Sequence, residues 1–203
     1  MSSIVVAGDV SGSVTLQAPS ASGSSTLTLP AVTDTLVGKA TTDTLTNKSI
    51  VASQLTGTVA VARLPAGSVL QVVSATYSTM ATSSSSTYAD SGLTATITPS
   101  SATSKILVMV VHAGISKTTN NTQVGSRLLR DATVISNFGQ YDADSTSAST
   151  TQIGSSAANV LDAPATTSAT IYKTQFNSQQ NNALARVHSD SAMSTLVLME
   201  IAV

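Results

Sequence analysis

The chain has 203 residues with nine Lys and Arg against ten Asp and Glu, and charged residues make up only 9% of it. So low and balanced a charge leaves no electrostatic footprint for nucleic acid or for an acidic membrane surface. The absence of cysteine excludes disulfides, thiolate metal sites and cysteine nucleophiles.

Ser and Thr supply about a third of the residues, aromatic residues 3%, and there is no Trp. Thr together with Val, Ile and Leu suits extended backbone on half-buried pleated surfaces, and the scarcity of Glu, Lys and Arg removes the polar face of a surface helix. The composition therefore predicts an all-β protein. Met1 to Val10 lacks a basic stretch followed by a long apolar run, and nowhere do about 18 consecutive apolar residues make a bilayer span. The expectation is a soluble protein made in the cytoplasm, with no membrane insertion.

From residue 1 to 67 the texture is thin. Ile4 to Val6, Val14 to Leu16 and Thr26 to Leu29 alternate like short strands, interrupted by Gly8, Gly12, Pro19, the Ser22 to Ser25 run and Pro30. A near-repeat follows: Thr33-Asp-Thr-Leu-Val-Gly38 returns as Thr42-Asp-Thr-Leu-Thr-Asn47, placing Leu36 and Leu45 in equivalent anchoring positions. Leu55, Val59, Val61 and Leu64 add sparse apolar points before Pro65 to Gly67. A segment this long without its own core is either ordered against sister chains or a partner surface, or is a flexible leader.

From residue 68 to 203 the pattern is denser. Val69 to Tyr77 predicts a strand and Ser83 to Ser86 a polar loop. In Leu93 to Ile97 the period of two is clean, with Leu93, Ala95 and Ile97 on one side and threonines on the other. Ile106 to Val111 is apolar at six successive positions and reads as a central strand covered on both faces. Arg127 to Ile135 predicts a hairpin turning near Asp131 and Ala132, and Asp142 to Ser156, small and polar, a surface loop or loops. Ala169 to Phe176 and Ala183 to His188 look like another pair joined across Asn177 to Asn182. Leu196 to Val203 predicts an interior strand at the C-terminus. Seven or eight short strands in this region indicate a β-sandwich or jelly-roll-like domain behind an extended, short-stranded N-terminal segment.

The last strand offers Leu196 and Leu198 on one face and Val197, Met199, Ile201 and Val203 on the other. Two apolar faces need two covering layers: either the domain buries both, or a neighbouring subunit covers one. Leu27, Leu29, Leu36 and Leu45 of the thin segment extend the same expectation, because parallel chains wound about an axis would cover one another.

Three stretches carry a resemblance: Gly12-Ser-Val-Thr-Leu-Gln-Ala-Pro19, Thr26-Leu-Thr-Leu-Pro30, and the distinctive run from Asp34 through Lys39, Asp43 and Asn47 to Ile50. Together with Leu55 to Val59, Arg63 to Gly67 and Leu198 to Ala202, they resemble tail-fibre, head-fibre and capsid-decoration proteins of tailed bacteriophages. The resemblance implies a virion location after synthesis in the host cytoplasm, a homo-oligomer of the trimeric kind, and capsid or tail proteins as partners. It also implies an N-terminal attachment segment and a projecting β domain, as in a fibre or knob. A capsid decoration (cement) protein and a carbohydrate-binding adhesin module are the alternatives. Polar loop rims and an aromatic ring suit a host-surface glycan or protein, which makes Asn120, Asn121 and Tyr141 candidate recognition residues.

Few groups suggest chemistry, and no catalytic residue, cofactor or metal is expected. His112 and His188 sit in or beside strands without a ligand spacing, so packed histidines are the expectation. Asp142 and Asp144 begin like a calcium loop, but Ser147 stands where the loop needs Gly and Ile153 where it needs Glu. Glu200, the only Glu, lies in an apolar strand and predicts a paired structural carboxylate, with Arg127, Arg130 or Arg186 as partner. No nucleophile elbow or phosphate loop occurs, and a polysaccharide-cleaving spike would need two acids fixed in one groove.

Overall fold

A computed structural model describes residues 3–7, 11–17, 31, 49–51, 53, 56–57, 59–119, 121–144, 149–180 and 183–203. They fall into two units, Met1–Thr56 and Gly57–Val203. In the first, β1 (Ser3–Ala7) pairs antiparallel with β2 (Ser13–Gln17), Ser3 opposite Gln17 and Ala7 opposite Ser13. Val5 and Val6 point to opposite sides of this hairpin, and both are more than half exposed. Thr26 to Leu29 and the near-repeat at 33–47 lie outside the described residues.

The second unit is an antiparallel sandwich, as the alternating segments predict. Its strands are β3 (Val69–Tyr77), β4 (Ala81–Ser83), β5 (Ala89–Ile97), β6 (Lys105–Lys117), β7 (Val124–Arg130), β8 (Thr133–Asp142), β9 (Ser149–Asp162), β10 (Thr170–Ser178), β11 (Ala185–Val187) and β12 (Ser194–Ile201). The smaller sheet runs β5-β10-β7-β8, and the larger β3-β12-β6-β11-β4 with β9 on the other edge of β6. Leu93 and Ile97 of β5, Leu128 of β7 and Tyr172 of β10 meet Ile106, Val108 and Val110 of β6 and Leu196 and Leu198 of β12 in the space between. Each large apolar side chain buried there stabilises the fold by roughly 1.5–3 kcal/mol. A second cluster, Ile115, Val124, Phe176, Ala185 and Val187, closes one end.

The β7–β8 hairpin turns at Asp131 and Ala132, with Arg130 opposite Thr133. Asp131 takes a positive φ of 51°, a conformation Asp tolerates better than most residues. Its backbone N–H donates to Ile171 O at 2.7 Å, and its Oδ1 accepts from Ile171 N–H at 3.0 Å. The turn thereby ties itself to the neighbouring strand.

Three expectations need correction. The stretch from Asp142 to Ser156 is not all loop, because β9 begins at Ser149 and runs fourteen residues. Its small polar residues have weak strand preference, but β6 is long and presents a second edge whose N–H and C=O groups must be paired. The ladder from Ile106 opposite Asp162 to His112 opposite Ser156 does this. Next, Ala169 to Phe176 and Ala183 to His188 form no hairpin: β10 pairs with β5 and β7, whereas β11 pairs with β4 and β6. Finally, Ile106 to Val111 is covered on one face only, since Ile106, Val108 and Val110 are buried while Leu107 and Met109 are half-buried and Val111 is exposed.

Candidate functional site

Strand register places the outward side chains of the larger sheet in rows. Val72, Met199, Leu107 and Leu161 stand side by side across β3, β12, β6 and β9. The next row holds Ser74, Val197, Met109 and Asn159, and the one beyond it Thr76, Thr195, Val111 and Ala157. Toward the other end Ile201 stands between Val69 and Lys105. Alternation decides which residues face outward: Leu196, Leu198 and Glu200 are sealed in the interior at 0% exposure, while Val72 is 56% and Leu161 55% exposed. Across β3, β12, β6 and β9 the result is an apolar outer face with one charge, Lys105, among its described residues.

The smaller sheet's outer face is more polar, although it also carries Leu129, Val134 and Ile171, the last two 39% and 44% exposed. Asp90, Gln175, Arg127 and Asn137 form one row across its four strands. Arg127 donates to Gln175 Oε1 at 2.6 and 2.8 Å and lies 4.0 Å over the Tyr88 ring. Gln175 Nε2 donates to Asp90 at 2.7 Å, and Lys173 pairs with Asp90 at 3.0 Å. These polar groups satisfy one another and water, so this row needs no cover.

Of the residues expected to mediate association, Val197, Met199 and Ile201 sit half-buried on the apolar face, and Val203 lies beyond the end of β12 and is exposed. Leu27, Leu29, Leu36 and Leu45 lie outside the described residues, as does Asn120. Asn121, at φ 52°, and Tyr141, at φ 66°, are exposed. Val124 stands opposite Asp142 in the β7–β8 ladder, which brings Asn121 and Tyr141 to the same end of the sandwich. There the Tyr141 N–H donates to Gln179 Oε1 at 3.2 Å. Sequence reasoning missed Val72, Leu107, Met109 and Leu161. The signal for Leu107 and Met109 was every second residue of the Ile106 to Val111 run.

A buried polar centre joins the two sheets. His112 Nε2 lies 2.7 Å from Thr174 Oγ1 and its Nδ1 3.2 Å from Ser126 Oγ. Thr174 Oγ1 also lies 2.6 Å from Ser91 Oγ. His188 Nδ1 lies 2.7 Å from Ser194 Oγ, and its Nε2 3.2 Å from Ser91 O. Every ring nitrogen is thus occupied by a hydroxyl or carbonyl, the arrangement of packed histidines. A hydroxyl beside an imidazole has the residue types of a nucleophile and its base, but His112, Thr174 and Ser126 have no exposed surface through which a substrate could reach them. Burial, reinforced by the neighbouring His188, pushes the His112 pKa down to about 3. Burial likewise lowers His188, against the carbonyl of Ser91.

Glu200 does not pair with an arginine. Its Oε1 accepts from the Ser100 N–H at 2.7 Å and the Ser100 hydroxyl at 2.6 Å, and its Oε2 from Gln71 Nε2 at 2.6 Å. Burial alone would raise its pKa, but these donors outweigh it and hold the carboxyl below the usual range. Arg130 is instead 2.7 Å from both oxygens of Asp162, which also accepts from the Tyr172 hydroxyl at 2.7 Å. Asp142 is half-buried and its pKa is raised by burial, which disfavours the ionised form a calcium ligand needs. Among the described residues, no three His, Asp or Glu side chains gather to hold a metal.

No protein-family model matches the chain, and no curated protein matches it. Among solved structures it is similar to VP2 of infectious bursal disease virus in the crystal structure of a subviral particle, at 14% identity and a TM-score of 0.40. The match covers 66% of this chain and 34% of the VP2 chain, so the likeness spans about a third of that protein.

Proposed function

We propose that this protein is a non-enzymatic structural component of a virus particle: a homo-oligomeric fibre or knob held by its N-terminal segment, with the sandwich projecting. The observation that carries the reading is the contrast between the two outer faces of the sandwich. One carries a self-satisfied polar row from Asp90 to Asn137, and the other a row-by-row apolar surface that exposes Val72 and Leu161 to water. A surface of that kind serves contact with protein.

The virion assignment is supported by the bacteriophage-like blocks Gly12 to Pro19, Thr26 to Pro30 and Asp34 to Ile50, and the trimeric state by the same resemblance. Asn121 and Tyr141 stand together at one end of the domain, where a projecting knob would meet a host surface.

The test is a reconstruction of the particle that carries this chain. The expected result is three copies about a common axis, residues 1–67 against a coat or tail protein and the Tyr141 end outermost. Sandwiches laid singly and flat on the coat would overturn the fibre or knob in favour of decoration. Absence of the chain from purified particles would overturn the virion assignment itself.

A further inference from the structure

We infer that the outer face of β3, β12, β6 and β9 is the subunit interface, turned toward a common axis and covered there by the same faces of the other copies of this chain. The inference rests on the homo-oligomeric reading above and names the surface that reading needs.

Three properties of the face select the occupant. Its size comes first. Adjacent strands lie about 4.8 Å apart and rise about 3.3 Å per residue, so four strands over the length from Thr195 to Ile201 give a footprint of roughly 400–450 Å². That is the size, about 300–600 Å², of the largest apolar patch on a typical monomer, which is often functional. A stable interface takes about 800 Å² of accessible surface from each partner. The face therefore supplies the apolar centre of a standard interface, and Ser74, Thr76, Thr195 and Asn159 within and beside it supply polar margin.

Its chemistry comes second. Lys105, at one end, is the one charge among the described residues of the face, so an acidic glycan, a nucleic acid or an anionic bilayer would meet a single cation, too few to hold it. No aromatic ring stands in the three rows to stack on a sugar. Apolar residues with methionine and without charge are the composition of the core of a homomeric interface, and Met109 and Met199 stand near its middle.

Shape comes third. A sheet face is a flat surface whose natural partner is another sheet face about 10 Å away, with side chains interdigitated. Each further copy about the axis brings such a face, with the same composition and the same scarcity of charge. Sheet faces turned toward a common axis also close the assembly and leave no apolar surface for further growth.

The experiment compares the full-length protein with V72K/L161K at micromolar concentration by light scattering coupled to size exclusion. Both residues are more than half exposed in the single chain, so lysine there does not disturb the core. Two lysines buried per subunit should weaken association by about 100-fold or more, and the variant should run at the monomer mass of 20.4 kDa with an unchanged circular dichroism spectrum. Asn137→Lys, on the polar outer face, should leave the oligomer intact. Should the lysine variant not fold, V72T/L161T trims the apolar surface without adding charge and should weaken association in the same direction by a smaller factor. An oligomeric wild type whose V72K/L161K variant folds and stays oligomeric, or whose N137K variant alone dissociates, would overturn the face assignment and leave the oligomeric reading standing. A monomeric wild type would overturn both.

Discussion

His112 and His188 meet edge to face between the two sheets, with ring centroids 5.6 Å apart and planes at 82°. Tyr77 and Phe138 add further edge contacts, at 5.2 Å to His188 and 5.3 Å to His112. His112 comes from β6 and reaches hydroxyls on β7 and β10, so the pair couples the larger sheet to the smaller by hydrogen bonds where the apolar core is interrupted. A neutral imidazole suits that place. A charged one has no carboxylate beside it among these contacts, and the second ring would repel it.

The fold should therefore lose stability in mild acid. The folded-state pKa of His112, about 3, lies below its unfolded value of about 6.5, and His188 is shifted the same way. The unfolded chain binds protons that the folded chain refuses, so the stabilisation is complete above about pH 6.5 and falls as the pH drops below it. Each histidine contributes a slope of up to roughly 1.4 kcal/mol per pH unit. Urea unfolding at pH 7, 6 and 5 should show this decline, and His112→Gln, though less stable, should show a shallower one. Equal slopes for the two proteins would contradict the account.

Asp162 links Arg130 of β7 to Tyr172 of β10, and the three form one cluster. Tyr172→Phe removes a single donor and leaves the ion pair, at a cost of about 1–1.5 kcal/mol. Asp162→Ala strands both a guanidinium and a buried hydroxyl and should cost more, about 2–4 kcal/mol. In a double-mutant cycle by denaturant titration, Asp162 and Tyr172 should show coupling of about 0.5 kcal/mol or more. Additive losses would mean that the hydroxyl bond contributes nothing beyond packing.

Much of the sandwich was legible because local pattern and tertiary demand agree there. Val69 to Tyr77 and the alternation of Leu93, Ala95 and Ile97 need only the period of two, and the Asp131 and Ala132 turn only its own chemistry. The misses share a different cause. Strand β9 owes its conformation to the free edge of β6, some forty residues earlier in the chain, and nothing in Ser149 to Ser156 announces that edge. Strands β10 and β11 separate into different sheets for equally non-local reasons. Part of the candidate interface, Val197, Met199 and Ile201, was visible as the second face of the last strand. Leu107 and Met109 were signalled by every second residue of the Ile106 to Val111 run, Val72 and Leu161 join them only through register, and Glu200 finds Ser100 and Gln71 only once β12 lies beside β3.

Gly92 sits in β5 with φ +95°, and a methyl group there would run into the Tyr77 ring. Gly92→Ala combines backbone strain with a clash against a side chain that itself packs on His188. A loss of about 3 kcal/mol or more is expected. Gly154→Ala in β9 meets nothing within 4 Å and has no left-handed φ, so its effect should stay within about 0.5 kcal/mol. Thermal melts of the two variants should differ by several degrees or more, and similar midpoints would contradict the packing of Tyr77 over Gly92.

Glu200 gives the acid response a second and separable phase. Its carboxylate is fully buried and accepts from a backbone N–H, a hydroxyl and an amide. Glu200→Gln keeps the shape but replaces one acceptor oxygen with an NH₂ that faces donors, at a cost of about 1.5–3 kcal/mol at pH 7. Because the folded-state pKa is held below its ordinary value of 4.5, the carboxylate's contribution is present above that value and is lost as the pH falls through the lower, folded one. The wild-type advantage over E200Q should therefore stay constant from pH 7 to about pH 5 and shrink below about pH 4.5. Parallel denaturation curves for the two proteins across pH 7 to 5, converging further into acid, are the expected outcome. Convergence already near pH 6 would mean that Glu200 is protonated in the folded protein and that Ser100 does not hold its charge.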